Sequence, residues 1–437
     1  MSHIQYLLAR LVVAALTVIA VLVDSSASAQ AVQPDTTPNQ LSGTPDARRP
    51  LPVDPLVLTP VVWSVIADPV ISVRGTDGRI HLAYELLFTN ISTAPARLQS
   101  VEVVDPLRDN RVVGASRVVT SKDEDVTTQF RHFALEESTF TKADYSDRLQ
   151  PAHSAVLYLD VTFDDLRDVP RQIKHRVTVS QTDAQNNPVL ITGIGGLTEV
   201  SRREPIVLSP PLKGDRWVDT SGCCEIIFAH RYTLNPTNGT LGTSERFAID
   251  FWQLDAQGRV VVGDIEELTN WHCYGAEVVA AAAGEVVQMV NDLPDQVLGE
   301  PVSGVTGETA PGNHVIIDMG GGRYALYAHL IPGSVAVAVG EVVARGQLLG
   351  RLGNSGNSDA PHLHFHVMDR ASALDANGLP FVFDRMEFQG RTAGTRDDLG
   401  NVVESGGAVA INPAGSGPRR REMPLTLDVV GFKNGSE

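Results

Sequence analysis

Three histidines alternate with apolar residues at positions 362–367, where the chain reads His-Leu-His-Phe-His-Val. In a β-strand, alternate side chains share one face of the sheet. His362, His364 and His366 are therefore predicted to project together, while Leu363 and Phe365 enter a core. Neutral imidazole is both a common metal ligand and a general base near neutral pH. The pattern favours a reaction centre over a surface strand with three solvated histidines.

The composition is that of an ordinary globular protein. Of the 437 residues, 43% are hydrophobic and 20% are charged, and this length predicts two or more domains. Short Val-rich runs between frequent Gly and Pro residues indicate mostly β structure. The net charge of −17 without an offsetting basic stripe argues against a nucleic-acid-binding protein.

The N-terminus has the features of an export signal. Arg10 precedes an apolar run at 11–23, which is short for a membrane span, and Ala-Ser-Ala at 27–29 offers a cleavage site. We predict a signal peptide at 1–29 and a Pro-rich linker at 30–55. An uncleaved anchor is the alternative. The mature protein is expected in the periplasm or outside the cell, with no stable membrane insertion after cleavage.

The next segment, 56–205, is predicted to be an Ig-like β-sandwich. Its apolar alternation is separated by turn residues at the spacing of a sandwich. The strand candidates are 79–88, 98–104, 154–163 and 175–181. The segment shows no metal cluster or nucleophile arrangement, and we interpret it as a spacer or adhesion module.

The segment 212–385 carries the chemistry and has almost no helical periodicity. Its predicted strands are 277–280, 284–289, 314–318, 324–328, 335–339, 347–352 and 362–367. The remainder, 386–437, is predicted to be a C-terminal loop and a strand at 425–430, with the arginines 419–421 in solvent. The fold class is thus all-β and mainly antiparallel, with a β-sandwich followed by a β-rich domain.

Three cysteines, Cys223, Cys224 and Cys273, follow the predicted export signal. An oxidising compartment permits a disulfide, and we predict that Cys273 pairs with one of the two adjacent cysteines. The sequence leaves open which of the two it is. A Cys-rich metal site is a weaker alternative, because adjacent cysteines are poorly spaced for binding one small ion.

Several ordered motifs resemble one known family. Tyr-Ala-His-Leu at 327–330, Gly-Asn-Ser-Gly at 353–356 and His-Leu-His-Phe at 362–365 are similar to the lysostaphin-type (LytM-like) zinc metalloendopeptidases. The hairpin segments 274–287 and 340–347 also match, so the resemblance covers roughly 225–385. It implies a zinc ion (Zn²⁺) held by His, Asp and His, with two further histidines at the reacting group.

By the matching motifs, His364 and Asp250 are implied zinc ligands, and His362 and His329 are implied catalytic residues. The chain departs from the family at the first ligand. The family places a histidine four residues before the aspartate, where this chain has Arg246, which has no lone pair to offer a metal. His230 is the predicted replacement, as in a branch with a displaced first histidine, and His272 is the competing candidate.

The resemblance implies a secreted zinc-dependent endopeptidase, a hydrolase of peptide bonds in peptidoglycan cross-links or stem peptides of the bacterial cell wall. Three protein ligands with an open fourth position suit a catalytic zinc site. The alternative is a non-enzymatic relative that binds cell wall or activates another hydrolase. A third hypothesis, proteolysis of a protein outside the wall, uses the same chemistry. His366 is interpreted as structural or substrate-lining.

Overall fold

The structure is a computed structural model that describes residues 54–117, 129–132, 148–183, 185–202, 204–224 and 229–432. The predicted signal peptide and the linker up to residue 53 lie outside the described residues. Within the described ranges, no helix has the length and apolar character needed to cross a membrane.

The first part of the described chain forms two facing sheets. One sheet has the order β1-β4-β9-β7 with β3 against β4, and the other has the order β2-β11-β10-β5-β6 with β8 against β5. A 3₁₀ turn, Pro106–Arg108, follows β5. The strands are β1 (Val61–Val65), β2 (Val70–Ile71), β3 (Val73–Arg74), β4 (Ile80–Asn90), β5 (Ala96–Asp105), β6 (Arg111–Arg117), β7 (Gln129–His132), β8 (Arg148–Leu149), β9 (Ser154–Phe163), β10 (Gln172–Thr182) and β11 (Pro188–Ser201).

The apolar core of this sandwich lies between its two sheets. Tyr84, Leu86 and Phe88 of β4 share one buried cluster with Val101 of β5 and Val177 of β10. The period of two in β4 sends these side chains inward, as the sequence predicts. Four strands match predicted ones closely, namely β4, β5, β9 and β10.

The second part is organised around a long, mainly antiparallel sheet with the order β21-β18-β19-β20-β23-β16-β13-β28-β25-β26, and β27 pairs with β25. Smaller pairs are β12-β24, β14-β15 and β17-β22. The strands are β12 (Ile206–Leu208), β13 (Gly214–Asp219), β14 (Asn235–Thr237), β15 (Thr240–Gly242), β16 (Ile249–Gln253), β17 (Glu277–Val279), β18 (Gly284–Val290), β19 (Asn313–Asp318), β20 (Tyr324–Leu330), β21 (Val342–Val343), β22 (Leu348–Arg351), β23 (Leu363–Met368), β24 (Phe381–Phe383), β25 (Met386–Thr392), β26 (Ile411–Asn412), β27 (Gly417–Arg419) and β28 (Asp428–Phe432).

Strand β23, which contains His364 and His366 and directly follows His362, lies inside this sheet between β20 and β16. Leu363, Phe365 and Val367 enter the main core, while Met368 packs in a smaller cluster with Leu326 and Ala328 on the opposite face. The predicted alternation of β23 is therefore observed. The histidines share their face with the smaller cluster. The all-β, mainly antiparallel fold class is confirmed.

The chain after residue 385 continues the same sheet. β25 and β28 pair with each other, and β28 pairs with β13, so the loop and strand predicted for 386–437 contain several strands and a helix, Arg396–Glu404. Thr395 caps that helix, and its hydroxyl and the Asp398 carboxylate complete a capping box. Other helical segments are Ala229–Tyr232 and the 3₁₀ turn Leu268–Asn270.

One predicted strand is wrong. Residues 335–339 alternate between Val and Ala but adopt no strand conformation. Ala336 N–H donates to Leu349 O at 2.8 Å, but no ladder of paired residues develops from this bond. A period of two is a side-chain pattern, and a strand also needs a neighbour whose backbone is in register.

The predicted pairing of Cys273 is also wrong. The disulfide joins the adjacent residues Cys223 and Cys224, and Cys273 is a buried free thiol. The thiol of Cys273 donates to Pro361 O at 3.2 Å, beside the start of the histidine strand. Burial raises the pKa of this thiol to about 12. Cys273 therefore acts as a packing residue.

The His81 imidazole lies between two carboxylates of the sandwich. Its Nδ1 is 2.9 Å from Asp160 Oδ2 and its Nε2 is 3.3 Å from Asp77 Oδ1. Burial lowers the pKa of His81, but the two carboxylates outweigh burial and raise this pKa to about 9. The folded protein therefore holds a proton that the unfolded chain releases near pH 6.5.

This difference predicts a pH-dependent stability. The contribution of His81 to the free energy of unfolding is fully present below about pH 6.5 and is lost as the pH rises through about 9. The slope from this one group is at most about 1.4 kcal/mol per pH unit. Denaturant unfolding between pH 6 and 10 should show a flatter profile for His81→Asn. His153→Asn, at an exposed site, serves as the control. An unchanged slope in His81→Asn would contradict this prediction.

Candidate active site

Asp250 and His364 are paired across two neighbouring strands. Asp250 of β16 lies opposite His364 of β23 in the antiparallel register, so their side chains leave the sheet side by side. His364 Nδ1 is 3.0 Å from Asp250 Oδ1, and both side chains are 8% exposed. The sheet itself therefore fixes two of the three predicted ligands relative to each other.

His230 reaches the same point from outside the sheet. It lies in the short helix Ala229–Tyr232, and its Nε2 is 3.1 Å from Asp250 Oδ2. The chain between His230 and Asp250 forms the hairpin β14-β15, whose turn contains Asn238 and Gly239 with positive φ. The sequence Asn-Pro-Thr-Asn-Gly at 235–239 is a cluster of turn-forming residues, which suits such a hairpin.

Two more histidines face the group from the other side. The ring centroids of His329 and His362 are 4.6 Å apart, and His362 Nε2 is 3.3 Å from Asp250 Oδ1. His362 Nδ1 donates to Ala360 O at 2.8 Å, and His329 Nδ1 donates to Ser355 O at 2.7 Å. The Gly-Asn-Ser-Gly motif at 353–356 thus supplies the carbonyl that orients His329.

His329 departs from the alternation of its own strand. Tyr327 faces the main core and Ala328 the opposite face, so a regular strand would send residue 329 back into the core. Its φ of +62° turns the side chain instead toward the other histidines. Such a backbone conformation is costly for a non-glycine residue and concentrates at functional sites. The register shift between Asn313 and Val315 on β19 accompanies it.

The hydrogen bonds of the imidazoles fit a cation at the centre of the group. His230 Nδ1 donates to Ser221 O at 2.5 Å and is 3.2 Å from Ala248 O, so its Nε2 presents a lone pair toward Asp250. His362 is held in the same way. Neutral rings in this arrangement direct lone pairs at a carboxylate, which is unfavourable unless a proton or a metal ion lies between them.

The donor set is one that zinc prefers. His230, Asp250 and His364 each offer a ligand atom, and these atoms lie within 4.8 Å of one another. A second group within the same limit contains His329, His362 and His364. Tetrahedral ligands at 2.0–2.1 Å from zinc are about 3.4 Å apart. The residues present therefore fit this metal.

The charges in the group respond to each other. Burial alone lowers the pKa of His230, but the Asp250 carboxylate raises it to about 9. For Asp250, burial raises the pKa, and the surrounding imidazoles His230 and His362 outweigh it and hold this pKa well below its usual range. Burial and the neighbouring rings of His362 and His364 lower the pKa of His329. A carboxylate anion among imidazoles is thus the preferred state, and His329 is neutral.

The group opens onto a groove. Its walls include Thr233 and Asn235 from the hairpin region, Pro311 and Asn357 from two turns, and Leu374. Glu245 adds a partly buried carboxylate near His230. His230, His329, His362 and His364 line the same groove.

Other predicted site residues lie elsewhere. His272, the competing first ligand, is exposed and is in neither candidate group. Arg246, at the position of the usual first ligand, is buried and pairs with Glu85 of the sandwich. Sequence reasoning missed Glu85. Its signal was a carboxylate in an otherwise largely apolar strand, which a surface position explains equally well.

His366 has a more specific part than was assigned to it. Its Nδ1 is 2.9 Å from His364 Nε2, and the side chain is fully buried. Burial and the nearby ring of His364 lower the pKa of His366, so it is neutral and accepts the His364 Nε2–H. This bond directs His364 Nδ1 toward Asp250. The alternation of three histidines contained the signal for this contact.

A family model for Peptidase family M23 matches residues 271–376. The chain contains an M23 peptidase domain. The matched range includes His329, His362 and His364, whereas His230 and Asp250 precede it. This match confirms the resemblance to lysostaphin-type peptidases.

Individual relatives either match a short segment of this chain or match a longer part at low identity. The peptidoglycan DD-endopeptidase ShyA of Vibrio cholerae serotype O1 is 37% identical over 65 residues, which are 15% of each protein. A mutant catalytic domain of the prophage-encoded M23 protein EnpA from Enterococcus faecalis is 19% identical, with 38% of this chain and 90% of that chain covered, at a TM-score of 0.23. The lysostaphin catalytic domain from Staphylococcus simulans is 20% identical, with 38% and 88% covered, at a TM-score of 0.22.

The position of His230 predicts which histidine substitution removes metal. His230→Ala should lose zinc binding, because its Nε2 is one of the converging donors. His272→Ala should retain zinc, and so should Arg246→Ala. Metal analysis after dialysis against buffered zinc measures each variant. Full zinc occupancy in His230→Ala, together with loss in His272→Ala, would assign the first ligand to His272.

The contact of His366 predicts a smaller effect on the same measurement. His366→Phe leaves the His364 N–H without an acceptor, and its zinc affinity should fall by about tenfold to a hundredfold. Met368→Leu, on the same face of β23, should retain the affinity and serves as the control. Equal affinity in His366→Phe and the unsubstituted protein would show that His366 only fills space.

Proposed function

We propose that this protein is an exported, zinc-dependent endopeptidase that hydrolyses peptide bonds in peptidoglycan cross-links or stem peptides. The observation that supports it most is the convergence of His230, Asp250 and His364 beside His329 and His362 at the end of a groove. The M23 domain supports peptide-bond hydrolysis, and the matched segment of a peptidoglycan endopeptidase supports the substrate class.

In this proposal His230, Asp250 and His364 would hold the zinc, as three protein ligands do in catalytic zinc sites. Zinc bound there would polarise a peptide carbonyl and lower the pKa of a coordinated water to about 7. Asp250 neutralises part of the ion's charge, and the carbonyls of Ser221 and Ala248 keep the His230 tautomer that offers Nε2. The remaining steps belong to the two other histidines.

Hydrolysis requires one proton to leave the attacking water and one to reach the leaving amine. His329 and His362 each keep Nδ1 on a backbone carbonyl, so each has Nε2 available for proton transfer. When either ring takes a proton, the carbonyl on its Nδ1 stabilises the resulting imidazolium. A protonated His329 or His362 ring would also stabilise the negatively charged oxygen that forms when water adds to the peptide carbonyl.

Loss of either proton-transferring histidine should remove activity and keep the metal. His329→Ala and His362→Ala should lower the rate at least about a hundredfold, the smaller end of general acid–base contributions. The assay is the release of new amine termini from purified peptidoglycan of several wall types by the zinc-loaded protein. Zinc content is measured on the same samples.

Two outcomes would contradict the proposal in different ways. No release of amines from any wall type by the zinc-loaded protein would exclude wall peptides as substrate, and a screen of protein substrates would follow. A zinc content well below about one ion per chain that adding zinc does not restore would favour the non-enzymatic relative that binds wall or activates another hydrolase.

A further inference from the structure

Glu85 lies at a buried junction between the sandwich and the segment that carries His230. It belongs to β4, and its side chain is 1% exposed. Arg231 Nε donates to Glu85 Oε1 at 3.0 Å, and Arg246 Nε donates to Glu85 Oε2 at 2.7 Å. One carboxylate thus pairs with two guanidinium groups from the second half of the chain, and all three side chains are shielded from water.

Arg231 is the residue directly after His230, and four of its five N–H groups donate to described acceptors. Nη2 donates to Tyr84 O and to Leu159 O at 3.2 Å each, and Nη1 donates to Cys224 O at 3.1 Å. Tyr84 and Leu159 are register partners on β4 and β9. The forked guanidinium therefore joins the His230 segment to the backbone of two sandwich strands, a geometry that lysine does not reproduce.

Apolar contacts continue this junction. Tyr232 meets Tyr158 of β9 edge to face, with ring centroids 5.0 Å apart. Leu234 packs in a small buried cluster with Val156 and Tyr158. The outer face of β4 is covered as well, since Ala83 belongs to the main core of the second unit. The outer face of this sandwich sheet is thus a docking surface for the segment 230–234.

The helix that holds His230 has four residues, Ala229–Tyr232. A helix of one turn has no stability of its own, because nucleation costs more than its few hydrogen bonds return. Its position is therefore set by tertiary contacts, and Arg231 contacts the sandwich through Glu85, Tyr84 and Leu159, while Tyr232 contacts it through Tyr158. Asp250 and His364, in contrast, are fixed by the sheet that contains them.

We propose that the β-sandwich is the scaffold that positions the first metal ligand, and that Glu85 is the positioning residue that connects the two through Arg231. This inference rests on the proposed function for the identity of the metal. It replaces the interpretation of the sandwich as a spacer or adhesion module. The first ligand is displaced from the turn position that Arg246 occupies, and a second domain holds the displaced residue in place.

The test compares zinc affinities of full-chain variants by competition with a chromophoric chelator. Glu85→Gln leaves two buried guanidinium groups without their counter-charge and should weaken zinc binding about tenfold, near the lower end for outer-sphere partners of metal ligands. Glu102→Gln removes a partly exposed partner of Arg176 on the other sandwich sheet and should leave the affinity unchanged. Arg246→Ala keeps the Glu85–Arg231 pair, so its zinc affinity should stay close to that of the unsubstituted protein.

Two further measurements separate positioning from general damage. In zinc-free protein, amide exchange of 229–232 should be faster in Glu85→Gln, while strands β5 and β10 keep their protection. At saturating zinc, kcat should return to the unsubstituted value, since His329 and His362 are untouched. Should Glu85→Gln fail to fold, Arg231→Lys gives the same test, because it retains the charge and loses the fork.

The inference is overturned if a folded Glu85→Gln or Arg231→Lys variant binds zinc with the unsubstituted affinity and exchanges amides of 229–232 at the unsubstituted rate. A failure of the proposed function has a different signature: the unsubstituted protein then binds no zinc or releases no amines. The exchange comparison in zinc-free protein still decides whether Glu85 holds the His230 segment.

Discussion

The buried Asp250 carboxylate is the feature on which the rest of the site depends. It accepts contacts from His230, His362 and His364 within a space that water barely reaches. An ionised carboxylate in such a place requires positive charge around it, from protons or from a metal. The elements around Asp250 are two strands of one sheet, a tight turn and a one-turn helix. Together they bring the imidazoles to this anion.

Backbone carbonyls decide what each imidazole presents to that anion. Ser221, Ser355 and Ala360 accept the Nδ1 protons of His230, His329 and His362, and the opposite nitrogen then faces the centre. His364 is turned the other way round, with His366 as its acceptor. The chemistry of the site is therefore encoded in main-chain positions as much as in residue types, and a list of histidines alone would not reveal it.

The two halves of the chain meet beside His230, the one proposed ligand that the long sheet does not hold. The sheet supplies Asp250 and His364 in register, whereas His230 arrives on four helical residues next to the sandwich. A buried carboxylate shared by two arginines is unfavourable without extensive hydrogen bonding, and here four of the five N–H groups of Arg231 donate to described acceptors. Such a junction fixes the position of the His230 segment. The proposed metal site depends on that position more than on added stability.

The sequence by itself determined the local patterns: the alternation that makes β23 a strand, the turn at 235–239 and the motif that marks an M23 peptidase. These depend on neighbours within a few residues. Only the tertiary structure decided that Cys223 bonds Cys224, that His366 orients His364, that positive φ turns His329 into the groove, and that Glu85 meets Arg231. Glu85 and Arg231 lie far apart in the sequence and meet only through packing. The Cys223–Cys224 bond, the φ of His329 and the choice of His366 as acceptor depend instead on local backbone and ring geometry, which residue types alone do not specify.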